Sequence, residues 1–323
     1  MSLIHSIVLP ESFRASSNQQ YELNIYRGDL EHVKASGNKW HKLQYHLKQA
    51  EKQSASVIAT FGGPFSNHLH AFGATIENLP FKAVAVVRGE LQPQLNASLK
   101  DVIGHGVELW PTLRSDYRLA MGSDVVRTIN ERYDNVYWIP EGGGGELGAL
   151  GCRDWAEQID LLDNSYDAWV VSAGTGTTAA GMLAYKGVPS LHVVSALKGA
   201  DEQRAEILLL ARQLVINKLT EECLTGIKSN HSDSLENKLF FHANAHHGGY
   251  AKHSHELEQF IQEYAVDNRH HPLDPVYTCK SMFAIIAAMK RGEWPYSRTL
   301  FIHTGGLQGW CGHSKKKNPF LSA

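Results

Sequence analysis

Short apolar runs rich in β-branched residues recur along the chain, and each ends in a turn that contains glycine. Three examples are SVIATFGG, KAVAVVRG and DAWVVSAGTG; the first and third are followed by stretches with helical spacing of apolar residues. Apolar strands that alternate with helices are typical of βα units on a mainly parallel sheet. The pattern therefore predicts an α/β protein.

The glycine run Gly142–Gly145 divides this pattern into two series. Several βα units lie between about residues 51 and 150, and a new series begins after the run. We predict two domains, each with a mainly parallel twisted sheet flanked by helices. A small domain of residues 49–150 is inserted into a large, discontinuous domain of residues 1–48 and 151–323.

The composition narrows the class of protein. The 323 residues are 43% hydrophobic and 20% charged, as in ordinary folded globular proteins. Lysine plus arginine number 31 against 33 aspartates plus glutamates, so the net charge of −2 argues against nucleic acid as a partner. The four cysteines form no CxxC pair, and no apolar run reaches the roughly 18 to 20 residues of a membrane helix. We expect a cytoplasmic protein with no membrane partner.

A candidate phosphate-binding loop follows the strand in DAWVVSAGTG. The loop Gly174–Thr178 is predicted to lead into a helix that starts at Ala179, which places its amides and hydroxyls at the positive end of that helix. A P-loop requires a lysine that is absent here, and a dinucleotide site requires an acidic residue that SLHVVSALKG lacks. A phosphate without a ribose fits best, and a glycine turn without a ligand is the alternative.

The lysine of ASGNKWHKLQYHLKQ is a second candidate. Ser36 or Asn38 is predicted to cap a helix whose first turn holds Lys39. A cation in the first turn opposes the helix dipole, which lowers the pKa of the amine and favours its neutral form. A lysine that forms a Schiff base needs that form. Taken by itself, the segment is more typical of a surface lysine.

The segment TFGGPFSNHLHAFGA contains a third candidate. Ser66, Asn67 and His68 are predicted to open a helix after the turn at Gly62 and Gly63. The free amides of a helix start favour a carboxylate as ligand. The G-x-S-x-G elbow of serine hydrolases is absent. A simple N-cap role for Ser66 is the alternative.

Seven segments, in this order, resemble the family of pyridoxal-phosphate enzymes that contains 1-aminocyclopropane-1-carboxylate deaminase and D-cysteine desulfhydrase. They lie between about residues 27 and 309 and read RGDLEHVKASGNKWHKLQY, TFGGPFSNH, IPEGGGGELGALGC, SAGTGTT, GGYAK, DPVYTCKSM and HTGGLQG. The resemblance implies a tryptophan-synthase-β-like fold, called fold type II, with pyridoxal 5′-phosphate between the two domains. It also implies a homodimer and a small amino-acid substrate.

The resemblance implies roles for individual residues. Lys39 matches the lysine that binds the cofactor as a Schiff base, and Asn67 matches the asparagine that hydrogen-bonds the pyridine 3′-oxygen. Ser66, Asn67 and His68 are expected to bind the substrate, and Tyr277 is expected beside the ring as a second acid or base. The remaining cofactor contacts are expected from Thr304 at the ring nitrogen and, around the phosphate, from Ala173, Gly174, Thr175, Gly176, Thr177 and Thr178.

Two positions depart from the family pattern. In the deaminases that open the cyclopropane ring, a glutamate facing the ring nitrogen follows the tyrosine of VYEGKS, whereas this chain reads VYTCKS with Thr278. A threonine hydroxyl has no charge to keep the pyridinium protonated, which disfavours cyclopropane opening. Phe65 stands where the family usually has a polar residue or a tyrosine, and it alters the floor of the substrate site.

The combined prediction is a lyase that eliminates a β-substituent from a small amino acid. D-cysteine is the favoured substrate, with pyruvate, ammonia and sulfide as products. A 1-aminocyclopropane-1-carboxylate deaminase and an amino-acid racemase are alternatives on the same scaffold. A metal-binding protein is the alternative outside catalysis, because the chain has 18 histidines.

The arrangement of the histidines does not favour that last alternative. The adjacent pairs His246-His247 and His270-His271 point their rings apart on a helix or strand. His242 and His246 have a ligand-like interval, but no HExxH motif occurs. We therefore predict no metal site.

Overall fold

The computed structural model describes residues 2–13, 20–32, 34–90, 94–223, 235–312 and 318–321. The strands are β1 Ile4–Ser6, β2 Glu22–Tyr26, β3 Val57–Gly62, β4 Lys82–Arg88, β5 Glu108–Thr112, β6 Val136–Ile139, β7 Ala168–Ala173, β8 Ser190–Ser195, β9 Leu239–His242 and β10 Arg298–Ile302. The helices are α1 Asn38–Lys52, α2 Asn67–Ile76, α3 Ala97–Gly104, α4 Arg114–Tyr117, α5 Asp124–Arg132, α6 Gly145–Asp160, α7 Thr177–Ala184, α8 Gln203–Cys223, α9 Leu235–Lys238, α10 His255–Asp267 and α11 Thr278–Lys290.

The smaller of the two sheets is parallel and has the strand order β5-β4-β3-β6. β3 is buried along its whole length. A parallel strand covered on both faces has no polar alternation, which explains the continuous apolar run of this segment. Apolar residues of α1, α2 and α3 cover one face of the sheet, and residues of α4 and α5 cover the other.

The larger sheet has the strand order β1-β2-β10-β7-β8-β9, and among these strands β1 is antiparallel to its neighbour. Helices α6, α7 and α8 pack on one face, and α10 and α11 pack on the other. Two mainly parallel sheets with helices on both faces confirm the predicted fold class. No helix in the described part of the chain combines the length and apolar character needed to cross a membrane.

Helix α1 lies between the two sheets. Leu43 and Leu47 belong to the core beneath the smaller sheet. His41 stacks on Trp155 of α6, with ring centroids 4.6 Å apart, and Trp155 belongs to the core of the larger sheet. The start of α1 is therefore held by both halves of the molecule. The domain boundaries proposed from the sequence stay a prediction.

Three of the loops that carry predicted site residues leave the carboxyl ends of parallel strands. They follow β3, β7 and β10, whereas Lys39 lies in α1 and Tyr277 directly precedes α11. Ligands of open α/β sheets bind at this edge, where the loops from several strands converge.

Candidate active site

The start of α1 has a different cap from the one expected. The helix begins at Asn38 after Gly37, which has φ +73°, and no side chain caps it, so the prediction of a cap by Ser36 or Asn38 is wrong. Gly37 is required because a Cβ atom there would lie 2.1 Å from the carbonyl oxygen of Thr304. Asn38 instead donates its side-chain amide to Oγ1 of Thr178 at 2.8 Å and its backbone amide to the Thr304 carbonyl at 3.2 Å. Two predicted cofactor residues therefore anchor this helix.

Lys39 is partly buried, and its amine has no hydrogen bond or ion pair within the described ranges. Burial and the nearby Lys42 ammonium hold the pKa of Lys39 well below its usual range. Burial and the charge of Lys42 thus favour the neutral amine that the sequence predicts, in addition to the helix dipole. Lys42 itself is 2% exposed, with Nζ 3.5 Å from the Gly142 carbonyl oxygen. Sequence reasoning missed Lys42, although its spacing of three from Lys39 places both on one helix face.

Ser66 caps α2, as one of the two interpretations of this segment predicts. Its Oγ accepts the amides of His68 at 3.2 Å and Leu69 at 3.3 Å. The His68 amide is thus already paired, which corrects the expectation that it is free for a carboxylate. The hydroxyl proton of Ser66 remains for a ligand.

The His68 imidazole is anchored to β3. Its Nε2 lies 2.8 Å from Oγ1 of Thr60, and Thr60 donates its own proton to the Ile139 carbonyl at 3.0 Å. Nε2 is therefore the donor, and Nδ1 is a buried acceptor without a partner in the described part of the chain. Burial, with the neighbouring amines of Lys39 and Lys42, holds the pKa of His68 well below its usual range. The ring is neutral, and its contact with a substrate stays a prediction.

The candidate phosphate loop joins β7 to α7. Helix α7 begins at Thr177, two residues before the predicted start at Ala179, so the two threonines 177 and 178 belong to its first turn. Thr175 Oγ1 and Thr177 Oγ1 lie 3.2 Å apart, and Gly176 adopts φ +79° at the N-cap. A Cβ atom at Gly144 would lie 3.6 Å from Thr177 Oγ1, so the glycine run packs against the loop. Amides and hydroxyls converge here, which suits a phosphate.

Asp274 organises the start of α11 and was missed by sequence reasoning. It is fully buried and accepts the backbone amides of residues 276–278 at 2.7 to 2.9 Å. The bonds hold Tyr277 against the phosphate loop, where a Cβ atom at Gly174 would lie 3.1 Å from its ring. Burial, Tyr250 and Asp274 hold the pKa of Tyr277 well above its usual range, so the phenol keeps its proton. The sequence signal that could have found this turn is local, because an aspartate side chain commonly accepts the backbone amides two to four residues after it.

Thr278 has both hydrogen-bonding functions of its hydroxyl occupied. It donates to Oδ2 of Asp274 at 2.6 Å and accepts the Asp274 amide at 2.7 Å. Asn67 and the loop that holds Thr304 approach the same carboxylate. A Cβ atom at Gly306 would lie 2.7 Å from Nδ2 of Asn67 and 3.3 Å from Cγ of Asp274. The starts of α1, α2, α7 and α11 and the loop after β10 thus meet in one region, and the roles of their predicted residues stay predictions.

His242, which has a ligand-like interval to His246 in the sequence, contacts a different histidine in the structure. Nε2 of His242 lies 3.0 Å from Nδ1 of His192, on the neighbouring strand. Among the residues that the structure describes, no group of three or more histidine, cysteine, aspartate or glutamate side chains is placed to hold a metal ion.

Comparisons with known proteins give the family. No family model matches the sequence. A protein from Thermotoga maritima, provisionally named 1-aminocyclopropane-1-carboxylate deaminase, is 31% identical over 316 residues, covering 95% of this chain and 96% of the relative. A mitochondrial bifunctional D-cysteine desulfhydrase/1-aminocyclopropane-1-carboxylate deaminase from Arabidopsis thaliana is 27% identical over 89% of this chain and 73% of its own length.

A crystal structure of a homologue of 1-aminocyclopropane-1-carboxylate deaminase has the same fold. It matches with a TM-score of 0.73 and 24% identity, covering 98% of this chain and 96% of its own. The two mainly parallel sheets, with loops at the carboxyl ends of their strands, have the tryptophan-synthase-β-like fold, called fold type II. The chain belongs to the family of 1-aminocyclopropane-1-carboxylate deaminases and D-cysteine desulfhydrases.

Proposed function

We propose that this enzyme is a pyridoxal-phosphate-dependent lyase that converts D-cysteine and water into pyruvate, ammonia and sulfide. The observation that carries the proposal is Thr278, which is fully buried and gives both hydrogen-bonding functions of its hydroxyl to Asp274. It offers no negative charge to a ring nitrogen. Elimination tolerates a neutral partner there, because the departing β-substituent carries away the electron pair left at Cα.

The residues of the site fit pyridoxal phosphate. Lys39 supplies an amine with a lowered pKa and no partner among the described residues, which is the state a Schiff-base lysine requires. The phosphate would be held by the amides of residues 174–176 and the threonine hydroxyls at the start of α7. Asn67 and Thr304 would contact the ring. When bound, the cofactor supplies an electron sink for the charge left at Cα when its proton is removed.

The chain's own groups then have defined tasks. Lys39, as a neutral amine, removes the Cα proton. The Ser66 hydroxyl binds the substrate carboxylate from the start of α2. Tyr277 keeps its proton because its pKa is raised by burial and by Tyr250, and it donates that proton to the leaving sulfur.

Deamination of 1-aminocyclopropane-1-carboxylate is the second candidate. The Thermotoga maritima relative carries that name at 31% identity, and the Arabidopsis thaliana relative is named for both reactions. A racemase on this scaffold would release no keto acid.

The test is a substrate panel with purified protein reconstituted with pyridoxal phosphate. We expect D-cysteine to give sulfide and pyruvate in equal amounts, with L-cysteine much slower. Lys39→Ala, prepared in the same way, is the blank. If only 1-aminocyclopropane-1-carboxylate gives a keto acid, the interpretation of Thr278 is wrong. Interconversion of D- and L-amino acids without keto acid would support a racemase instead.

A further inference from the structure

A cavity of about 650 Å³ lies at the carboxyl ends of β3, β4 and β5, beside the loop that leads to Ser66. Pro64 and Phe65 form one wall, and Arg88 at the end of β4 and Arg114 at the start of α4 contribute to the others. None of these residues has a task in the proposed reaction. The cavity lies at the edge where α/β sheets bind ligands, and its wall at Phe65 directly precedes Ser66 in the chain.

The wall next to Ser66 is fixed in place. Asn96 caps α3 by accepting the Leu99 amide at 2.8 Å, and it donates its side-chain amide to the Pro64 carbonyl at 3.0 Å. Phe65 follows Pro64 and is 57% exposed. A held loop with an exposed ring gives the cavity a defined apolar side directly next to the proposed carboxylate contact.

Positive charge dominates the other walls. Arg88 and Arg114 are accompanied by the single carboxylate of Glu90 in the described lining. Neither guanidinium has a hydrogen bond or an ion pair with another described residue. A planar guanidinium without a partner binds a carboxylate, sulfonate or phosphate through two parallel hydrogen bonds.

Arg88 is supported on the side towards the catalytic residues. Its guanidinium lies over the Tyr117 ring, 5.7 Å from the centroid, and a Cβ atom at Gly63 would lie 3.2 Å from its Nη2. Burial raises the pKa of Tyr250, and the positive charge of Arg88 is one of the causes that oppose this rise. The Tyr250 ring packs on that of Tyr277 with centroids 6.0 Å apart. Arg88 therefore packs against the loop at Gly63, three residues before Ser66.

We propose that this cavity receives the side chain of a further class of amino-acid ligand, one whose side chain ends in an oxyanion, beyond the D-cysteine of the proposed function, whose thiol needs no such partner. Arg88 is the specificity-determining residue, and Arg114 adds a second positive charge. The inference rests on the proposed function only in assuming that Ser66 binds the substrate carboxylate.

Equilibrium binding to the reconstituted enzyme, measured by calorimetry, tests this selection. Aspartate and asparagine, each as D- and L-enantiomers, differ only in side-chain charge. We expect one enantiomer of aspartate to bind at least about tenfold more tightly than its asparagine counterpart. Arg88→Gln should abolish the preference, Arg88→Lys should keep part of it, and Arg114→Gln should reduce it about threefold. Arg127→Gln, at an exposed position of α5, is the matched control and should leave it unchanged.

Equal affinities in the wild type, no binding of either amino acid, or a preference that survives in Arg88→Gln overturns the inference. The assay needs no turnover, so its failure is separate from failure of the proposed function. Elimination of D-cysteine without a preference for aspartate refutes the subsite alone. A preference for aspartate without D-cysteine elimination supports the subsite and refutes the proposed substrate.

Discussion

Burial lowers the pKa of both Lys39 and Lys280, and the nearby buried Asp274 carboxylate opposes that lowering in each, but the two lysines differ in their hydrogen bonds. Lys280 is fully buried and donates Nζ to the Gly249 carbonyl at 2.7 Å. Burial lowers its pKa to about 8. Lys39 has no acceptor in the described part of the chain, and burial with Lys42 holds its pKa well below the usual range.

The difference separates a lysine that stabilises the site, Lys280, from the one that we propose to react in it, Lys39. The bond from Lys280 holds a turn in which Gly248 has φ +99° and Gly249 has φ +116°, and Tyr250 follows that turn. A buried amine with a good acceptor is satisfied and stays in place. A neutral buried amine without one is free to bond to a ligand. Burial alone therefore does not show whether a lysine is reactive. The presence or absence of a hydrogen-bond acceptor for its amine is the more informative feature.

The largest expected effect comes from removing the reactive amine. Lys39→Ala should lower kcat for D-cysteine by about 10³-fold or more, because both the covalent attachment and the base are lost. The free energy of unfolding should stay the same or rise, since the variant removes a partly buried amine that has no partner among the described residues. Steady-state kinetics and urea unfolding measure the two quantities. A loss of activity in Lys280→Met as large as that in Lys39→Ala would contradict the distinction between them.

Asp274→Asn tests the group that the two lysines share. The carboxylate of Asp274 accepts hydrogen bonds from the backbone N–H groups of residues 276–278. The asparagine side chain would place its NH2 group, a donor, against some of these backbone donors. We expect the free energy of unfolding to fall by about 2 to 3 kcal/mol, measured by urea unfolding. Asp267→Asn, at an exposed position at the end of α10, is the control and should change it by less than about 0.5 kcal/mol. Equal stability of the two variants would show that Asp274 does not organise this turn.

Lys280→Met should affect substrate binding more than turnover. The variant leaves the Gly249 carbonyl unpaired and loosens the turn that presents Tyr250, so KM for D-cysteine should rise about three- to tenfold. The value of kcat should change by less than about threefold, because Lys39 is untouched. Lys290→Met, exposed on the same helix, serves as the control. A fall in kcat with KM unchanged would place Lys280 among the reacting groups.

The smallest effect is a pH dependence of stability. In the folded protein Lys280 has a pKa of about 8 against an ordinary value of 10.5, so between these values the unfolded chain binds more protons than the folded one. The free energy of unfolding of the wild type, relative to that of Lys280→Met, should therefore rise with pH across this window and stay level below it. Urea unfolding at several pH values measures the difference. A level or falling difference would mean that burial does not lower this pKa.

The features that could be predicted from the sequence depend on neighbours along the chain. The apolar run of β3 indicates a buried parallel strand. Ser66 is one of the residue types that helices prefer as an N-cap. The turn at Gly174 and Gly176 after β7 indicates a loop that presents amides at a helix start. Each signal is contained within a few residues, so one segment suffices to recognise it.

The features that could not be predicted depend on distant segments. Gly37 replaces a side-chain cap because the Thr304 carbonyl passes too close for a Cβ atom. In the sequence, Lys42 resembles an ordinary polar residue of an amphipathic helix. It is buried in the structure, where its amine lies beside the loop at Gly142. Asp274 binds backbone amides at the start of α11 and also affects the pKa of Lys39. The second effect depends on a tertiary contact between segments far apart in the chain.

The central claim is that Lys39 carries the cofactor while Lys42 and Lys280 support the site. Borohydride reduction of the protein reconstituted with pyridoxal phosphate makes the lysine attachment permanent, and mass spectrometry of its peptides then locates it. We predict one added pyridoxyl phosphate per chain, on the peptide that contains Lys39. Attachment to Lys42 or Lys280, or no attachment at all, would contradict the assignment.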